Sequence, residues 1–282
     1  MNRDLKNKTS NFFVHVIVIA IGFIMLYPIL WLIFSSFKPN EHIFSDVSLI
    51  PKKITLEHYV DGWQGIGRIP FSRFLKNSFF VSIMSVVVNV ISCSMVAYAF
   101  GRLDFSLKNI WFAIMMLSIM LPTHVTNIPR YVMFNKFGWI DTYYPLIIPK
   151  ILATDGFFIF LLVQFIRGIP TDLDESATIE GCGPIQIYWR IIMPLAKPAL
   201  VTTALFTFLW TWDDFFNPLI YLNTPEKFTV PLGLRMFLDS TGESNWGSMF
   251  AMSVVSLIPS FILFLTMQNY FVEGITTTGI KG

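Results

Sequence analysis

The chain alternates long apolar runs with short polar segments, and the runs have the length a lipid bilayer requires. The first, at about 12–34, carries no charge and follows Arg3, Lys6 and Lys8. It exceeds the roughly 7–15 residues of a signal-peptide core, and no small-residue cleavage site follows. It meets the roughly 20 residues needed to cross a bilayer, so it predicts a transmembrane helix, with Pro28 as a kink. A polar stretch then runs to about Ser72; its Gly62, Gly65, Gly67 and Pro70 predict an irregular loop. The second run, about 77–100, places Ser78, Ser82, Ser85, Asn89 and Ser92 at steps of three or four, on one helix face. Small and polar residues at that spacing suit close helix packing, and they also suit a pore-lining face. The third run, about 110–131, holds Pro122 and Pro129. Two prolines free backbone groups that neighbours or water must satisfy, which favours an interior position.

The fourth run, about 142–166, contains Lys150 and Asp155. Ionisable residues inside a span rarely face lipid. Their five-residue spacing is poor for a direct pair on one helix, so each is expected to find another partner, and Lys150 can also snorkel to an interface. The fifth run, about 199–222, has the core Trp210-Thr211-Trp212-Asp213-Asp214-Phe215-Phe216-Asn217-Pro218. Pro218 disfavours helical geometry at Asn217, which predicts a break there. Either the span ends at Trp210 and the acids are in water, or they line a wet cavity. Residues 223–247 predict a polar loop with a helical segment at 232–238, and the last run, about 246–272, carries Pro259. Six spans in all place both termini on one side.

Between the fourth and fifth runs lies the segment 170–198, PTDLDESATIEGCGPIQIYWRIIMPLAKP. Thr171 and Asp174 have capping-box spacing, and Asp172, Asp174 and Glu175 put negative charge in a first helical turn. Gly181-Cys182-Gly183 breaks that helix and Pro184 suits the start of a second. Ile185, Tyr188, Trp189 and Ile192 then share one apolar face, and Pro194 and Pro198 are expected to end it. The prediction is a compact helix–turn–helix between two spans.

Composition agrees with an integral membrane protein: 54% of residues are hydrophobic and 13% charged, against about a quarter charged in soluble domains. The net charge is +2, and no basic block suits nucleic acid. Cys93 and Cys182 lie in different settings, which argues against a disulfide or a metal cluster. His15, His42, His58 and His124 lack ligand spacing and read as structural or solvated. Lys/Arg counts orient the chain weakly: the N-terminus, second and fourth loops and C-terminus hold nine of the 20. The three basic residues ahead of the first span lean toward a cytoplasmic N-terminus.

The 170–198 segment resembles the EAA motif of ABC importer permeases. Glu175-Ser176-Ala177 stands for EAA, Gly181 for the glycine after three residues, and Ile192-Met193-Pro194 for the end. Ser176, Glu180 and Met193 are mild departures. Further matches lie along the chain: Tyr27-Pro28-Ile29-Leu30-Trp31, Ser36-Phe37-Lys38, Asn77-Ser78, Ala97-Tyr98-Ala99-Phe100, Arg102-Leu103, Leu121-Pro122, Pro129, Tyr131, Trp212, Asp214-Phe215, Pro218-Leu219, Phe271-Val272, Gly274 and Lys281-Gly282. They resemble the MalG-like permease subunit of carbohydrate importers.

The resemblance implies an all-α polytopic protein, a single transmembrane permease domain over 1–282 with six spans and a cytoplasmic coupling loop. It implies residence in the bacterial plasma membrane with both termini cytoplasmic. The partners implied are a second, MalF-like permease, an ATPase dimer, an extracytoplasmic sugar-binding protein and a carbohydrate. No cofactor is expected in this chain, which lacks a Walker-type loop; ATP and Mg belong to the ATPase. Glu175, Ser176, Ala177, Gly181 and Pro194 would seat against the ATPase, small residues allowing close approach. The 223–247 loop would meet the binding protein, and the C-terminal tail would reach the ATPase. Ser82, Asn89, Asp155, Trp210, Trp212, Asp214 and Asn217 are the candidate pathway residues, the tryptophans to stack on a sugar and the acids to accept its hydroxyls. An alternative is a proton-coupled secondary transporter using Lys150, Asp155 and Asp213. An intramembrane enzyme with an Asp213/Asp214 pair fits less well, because neighbours on a helix point about 100° apart.

Overall fold

A computed structural model describes residues 2–46, 48–238 and 245–279, with side chains for 13–46, 48–122, 125–238 and 245–268. His124 and Lys281 lie outside the described side chains, and part of the predicted 223–247 contact loop lies outside the described residues. The chain is helical, and among the described residues no strand forms; Ile66 and Ile69 make one isolated antiparallel bridge. It divides into two compact units, Met1–Phe71 with Leu234–Leu257, and Ser72–Gly233 with Ile258–Gly282.

In the first unit, α1 (Asn2–Ser35) is apolar from Phe13 onward, with Ile24 and Met25 each 72% exposed. Such a surface is tolerable against lipid and not against water. The predicted irregular loop has more order than its glycines suggested. It contains a 3₁₀ turn at Asn40–His42 and helix α2 (Glu57–Gln64). Its organiser is Lys38, 1% exposed, whose Nζ donates to the carbonyls of Asp46 (2.7 Å) and Ser48 (2.6 Å). The Lys38 carbonyl in turn accepts from His58 Nε2 at 2.8 Å. His58 is thus a structural histidine. Gly247 lies against it: a Cβ there would stand 2.3 Å from the imidazole, so only glycine admits the contact. Trp31, Phe44, Trp246 and Phe250 form an aromatic cluster with centroid distances of 5.2–6.5 Å.

The second unit is built on α3 (Phe71–Arg102). The serine/asparagine face of α3 is turned inward: Ser78, Ser82, Ser85 and Asn89 are all buried. Asn89 donates to Thr207 Oγ1 (2.9 Å) and accepts from Cys93 Sγ (3.2 Å). In lipid, helix association gains little from apolar transfer, so close approach and interhelical hydrogen bonds, worth about 0.6–2 kcal/mol each, hold the bundle. The packing reading of this stripe is the one the structure supports.

The third predicted span is two helices, α4 (Lys108–Ile119) and α5 (Thr123–Lys136). Pro122 caps α5 from extended geometry (ψ 127°), interrupting the helix that periodicity alone would continue. The fourth is α6 (Tyr144–Ile151) and α7 (Gly156–Gly168), separated by a break in which Ala153 has φ +52°. The segment 170–198 comprises α8 (Asp172–Ile179), α9 (Pro184–Ile187), a π turn at Tyr188–Ile192 and α10 (Met193–Leu195). It meets α11 (Lys197–Trp212) at a 77° bend. Pro194 and Pro198 therefore do not terminate helices; each occupies the first turn of one, where its missing N–H costs nothing. After α11, the break falls at Asp213–Phe215 and not at Asn217, because Pro218 fits the first turn of α12 (Phe216–Tyr221). Helices α13 (Val230–Met236) and α14 (Trp246–Gly279) follow. Among the described residues, four apolar stretches are long enough to span: Phe13–Ser35, Phe71–Arg102, Tyr144–Gly168 and Trp246–Gln268. The bent pair Pro184–Leu195 and Lys197–Trp212 makes a fifth if it counts as one span.

Two polar ties fix loops to this frame. Arg102 Nε lies 3.0 Å from Asp174 Oδ2, with only 6% and 19% of the side chains exposed, and its Nη2 donates to the Ile169 carbonyl at 2.6 Å. The contact is ionic rather than an aligned hydrogen bond, since Asp174 Oδ1 and Arg102 Nε have no hydrogen-bond partner. The second tie is Asp141, in left-handed geometry (φ +61°) on the loop before α6. Its carboxylate accepts from the Asn223 and Thr224 amides, Thr224 Oγ1 and Lys227 Nζ. Burial works against its charge, but the bonds from Lys227, Thr224 and Asn223 prevail and hold its pKa well below the ordinary carboxylate range.

Replacing Arg102 or Asp174 singly by alanine strands a largely buried charge and should cost about 3–5 kcal/mol, whereas the double substitution Arg102→Met with Asp174→Leu should cost less than either. Thermal melts of the detergent-solubilised protein read the difference. Asp141→Asn keeps the left-handed backbone and removes the charge, and should lower stability by about 1.5–3 kcal/mol. Because the folded-state pKa is depressed, the wild-type advantage is full above the unfolded value of about 3.9 and fades as pH falls through the lower folded value. The variant should show no such acid dependence from this site.

Candidate functional site

Two places carry chemistry in the second unit. The first is the segment 170–198. Helix α8 starts at Thr171, but Thr171 has helical backbone angles and makes no side-chain cap, so the capping box is absent. Its intended partner, Asp174, is drawn instead to Arg102. Glu175 and Ser176 are exposed, and Ser176 Oγ returns to the Asp172 carbonyl. Ala177 faces the other way: it is buried in the core with Ile187, Tyr188 and Ile192, so its small size serves packing within the chain.

Gly181 ends α8 at φ +86°, with its N–H to the Thr178 carbonyl and the Cys182 N–H to the Ala177 carbonyl, a Schellman closure. A Cβ at Gly181 would meet nothing within 4 Å, so the glycine answers to backbone geometry rather than to a crowded surface. The predicted apolar face also divides. Tyr188 and Ile192 are buried, while Ile185 and Trp189 are 75% and 56% exposed, because the π turn rotates the face midway. Tyr188 is anchored to Ser94 at 2.8 Å, and Tyr98 donates to the Pro184 carbonyl at 3.1 Å. The exposed side thus presents Glu175, Ile179 (88% exposed), Ile185, Trp189 and Pro194 around a buried anchor.

The second place is an open cavity of about 690 Å³ lined from α5, α6, the α6–α7 break, the end of α11 and α12. It gathers Asp155, Trp210, Asp214 and Asn217 from the sequence-derived pathway set, with Lys150 and Arg130. Ser82 and Asn89 are not there; they are buried along α3. Trp212 is not there either: it is 2% exposed, stacked on Phe208 (5.4 Å) and edge-on to Phe79 (4.8 Å). Two residues on from Trp210, it projects from the opposite side of α11 and packs there.

Lys150 and Asp155 do pair, Nζ to Oδ2 at 3.3 Å, contrary to the spacing argument. That argument assumed one continuous helix; the break at residues 152–155 folds Asp155 back toward Lys150. At the break the Pro149 carbonyl accepts from the Leu152 amide and from Thr154 Oγ1 (2.9 Å), and the Lys150 carbonyl from the Ala153 amide and from Ser92 Oγ of α3 (2.6 Å). Asp214 accepts from the Asn217 amide (3.1 Å) and Asn217 Nδ2 (2.7 Å), serving as the cap of α12. Of the acids a proton relay would use, Asp155 is ion-paired and Asp213 is exposed on the turn. Arg130 was not singled out from sequence. Its signal was present, a cation beside Pro129 in an apolar run.

Comparison with known proteins gives the family. Over 284 residues the chain is 32% identical to the arabinooligosaccharides transport system permease protein AraQ of Halalkalibacterium halodurans, covering 99% of this chain and all of that one. It is 33% identical to the trehalose/maltose transport system permease protein MalG of Thermococcus litoralis, with 94% of each chain covered. In fold it superposes, with a TM-score of 0.84 and 21% identity, on a chain of a bacterial ABC transporter involved in the import of the acidic polysaccharide alginate, covering 96% of this chain and 99% of that one. The family model described as the inner membrane component of binding-protein-dependent transport systems matches residues 90–277. The chain belongs to that family, as a membrane permease component of a binding-protein-dependent transport system.

Proposed function

We propose that the chain is one of two permease subunits of an ATP-driven sugar importer in the bacterial inner membrane, with both termini cytoplasmic. The carbohydrate class follows the relatives, whose names specify arabinooligosaccharides and trehalose/maltose. An extracytoplasmic binding protein delivers the sugar, and an ATPase dimer holding ATP and Mg drives alternating access. The coupling segment 170–198 docks in a cleft of the ATPase. The observation that carries this reading is the exposed surface of that segment. Ile179, Ile185 and Trp189 are at least half exposed beside Glu175, on a piece of chain whose other face is pinned by Arg102, Ser94 and Tyr98. Exposed apolar residues on a polar segment outside the bilayer mark a protein contact. Glu175 adds a carboxylate at the rim, and pinning lets a push on the segment reach α3.

Purification of the tagged chain from membranes in mild detergent should recover an ATPase and a second permease. Glu175→Lys should leave membrane insertion intact and cut sugar-stimulated ATP hydrolysis at least about tenfold; Ile179→Glu should reduce ATPase recovery by a similar factor. Normal uptake in both variants would overturn the docking assignment.

A further inference from the structure

We propose that the pocket on the loop between α1 and α3 is a phospholipid site, taking the phosphate of an anionic headgroup while the apolar surface beside it lies in the bilayer interface. The site is independent of the cargo and of the coupling segment, and it falls entirely within the first unit.

Three observations put the pocket at headgroup depth. Lys38, which lines it, stands three residues beyond Ser35, where the apolar run of α1 ends. The Thr55 amide donates to the Phe37 carbonyl at 2.9 Å, which returns Lys53 and Ile54 to the same level. Trp31 near the end of α1 and Trp246 at the start of α14 both pack on Phe44. Tryptophans gather at the membrane–water boundary, where one edge is wet and the other apolar.

The surface beside the pocket is apolar and uncovered. Ile50 and Ile54 are 70% and 73% exposed, and they flank Lys52 and Lys53 in the chain. Leu56, Val60 and Trp63 are exposed and recur at four and three residues, so α2 and its N-cap turn one apolar side outward. The other side is held by His58 and Gly62, both buried. A helix with one apolar face and lysines at its margin is suited to lie in the interface plane. At this depth the medium that meets Ile50, Ile54 and Trp63 is lipid.

The charges select the headgroup. Over residues 36–72, Lys38, Lys52, Lys53 and Arg68 are balanced by Glu41, Asp46, Glu57 and Asp61. The pocket undoes that balance: the three lysines line it with His42 and Ser45, and Asp46 is the one acid among its described lining residues. Asp46 is occupied by its own turn, accepting from the Ser48 amide (3.1 Å) and Ser48 Oγ (2.7 Å). Its other oxygen lies 4.0 Å from Lys52 Nζ, a loose pair on an exposed side chain. Lys38 is committed to the Asp46 and Ser48 carbonyls, so it supplies charge from behind, and Lys52 and Lys53 are the groups that reach a phosphate. The volume of about 330 Å³ admits a headgroup. A zwitterionic headgroup would bring a second cation against the lysines; an anionic one does not.

The assembled complex in lipid nanodiscs carrying a diazirine-bearing phosphatidylglycerol supplies the test, with labelled peptides mapped by mass spectrometry. Residues 48–64 should be labelled about tenfold more strongly than by the corresponding phosphatidylcholine, and the excess should shrink as salt rises. Lys52→Gln with Lys53→Gln should remove the excess, and Lys52→Arg with Lys53→Arg should keep it, while labelling of α4 stays unchanged in both. A lipid held also by its chains should resist inorganic phosphate added at constant ionic strength. Equal labelling by the two lipids, or an excess indifferent to the glutamine pair, would overturn the site. Displacement by inorganic phosphate would also overturn it, by assigning the pocket to a free anion. Chemical crosslinks from Lys52 or Lys53 to another protein chain, with no lipid label on residues 48–64, would make the surface a protein contact and overturn it too.

Discussion

Backbone polar groups inside a bilayer have no water to fall back on, and the second unit is arranged around meeting that demand where its helices break. At the break at residues 152–155 Thr154 and Ser92 add second bonds to the last carbonyls of α6, and the break at 213–215 is closed by Asp214 capping α12. Both repairs use polar side chains that continuous helices would not have needed. Thr154 and Asp214, with the charges of Lys150, Asp155 and Arg130, line one cavity. The polar site is thus a by-product of interrupting helices in an apolar medium, and its residues are preorganised because they are engaged in holding the backbone.

The same dependence explains what could be read from the sequence. The apolar runs, the inward serine face of α3 and the two-helix coupling segment were legible because each follows from periodicity or from a local breaker such as Gly181 or Pro184. The errors came from treating runs as unbroken helices. Lys150 and Asp155 are badly spaced on one helix and well placed across a kink. Trp212 and Trp210 look equivalent in a list of aromatics, yet one is stacked on Phe208 and the other lies open, because they project from opposite sides of α11. Thr171 has the right spacing for a capping box, but a guanidinium from α3 competes for Asp174 and wins. Such tertiary competition leaves no mark in a local pattern.

Small residues in the coupling segment also changed meaning. Sequence reasoning gave Ala177 and Gly181 to an intermolecular surface. Ala177 is small because the segment packs on its own subunit, and Gly181 is glycine because the chain turns left-handed there. The larger exposed side chains, Ile179, Ile185 and Trp189, lie about Glu175 instead. The small residues of this segment therefore serve its own packing and its turn.

Helix α3 gives the arrangement a mechanical aspect. Its 32 residues make a rod about 48 Å long. At one end Ser94, Tyr98 and Arg102 grip the coupling segment. At the other, Asn77 donates to the carbonyls of Glu226 and Phe228, and Ser78 accepts from the Val230 amide. A rod clamped at both ends cannot bend cheaply, since its interior hydrogen bonds would have to stretch. A displacement of one end of this rod therefore reaches the loop at the other end as a tilt, with no chain of rearranging side chains in between.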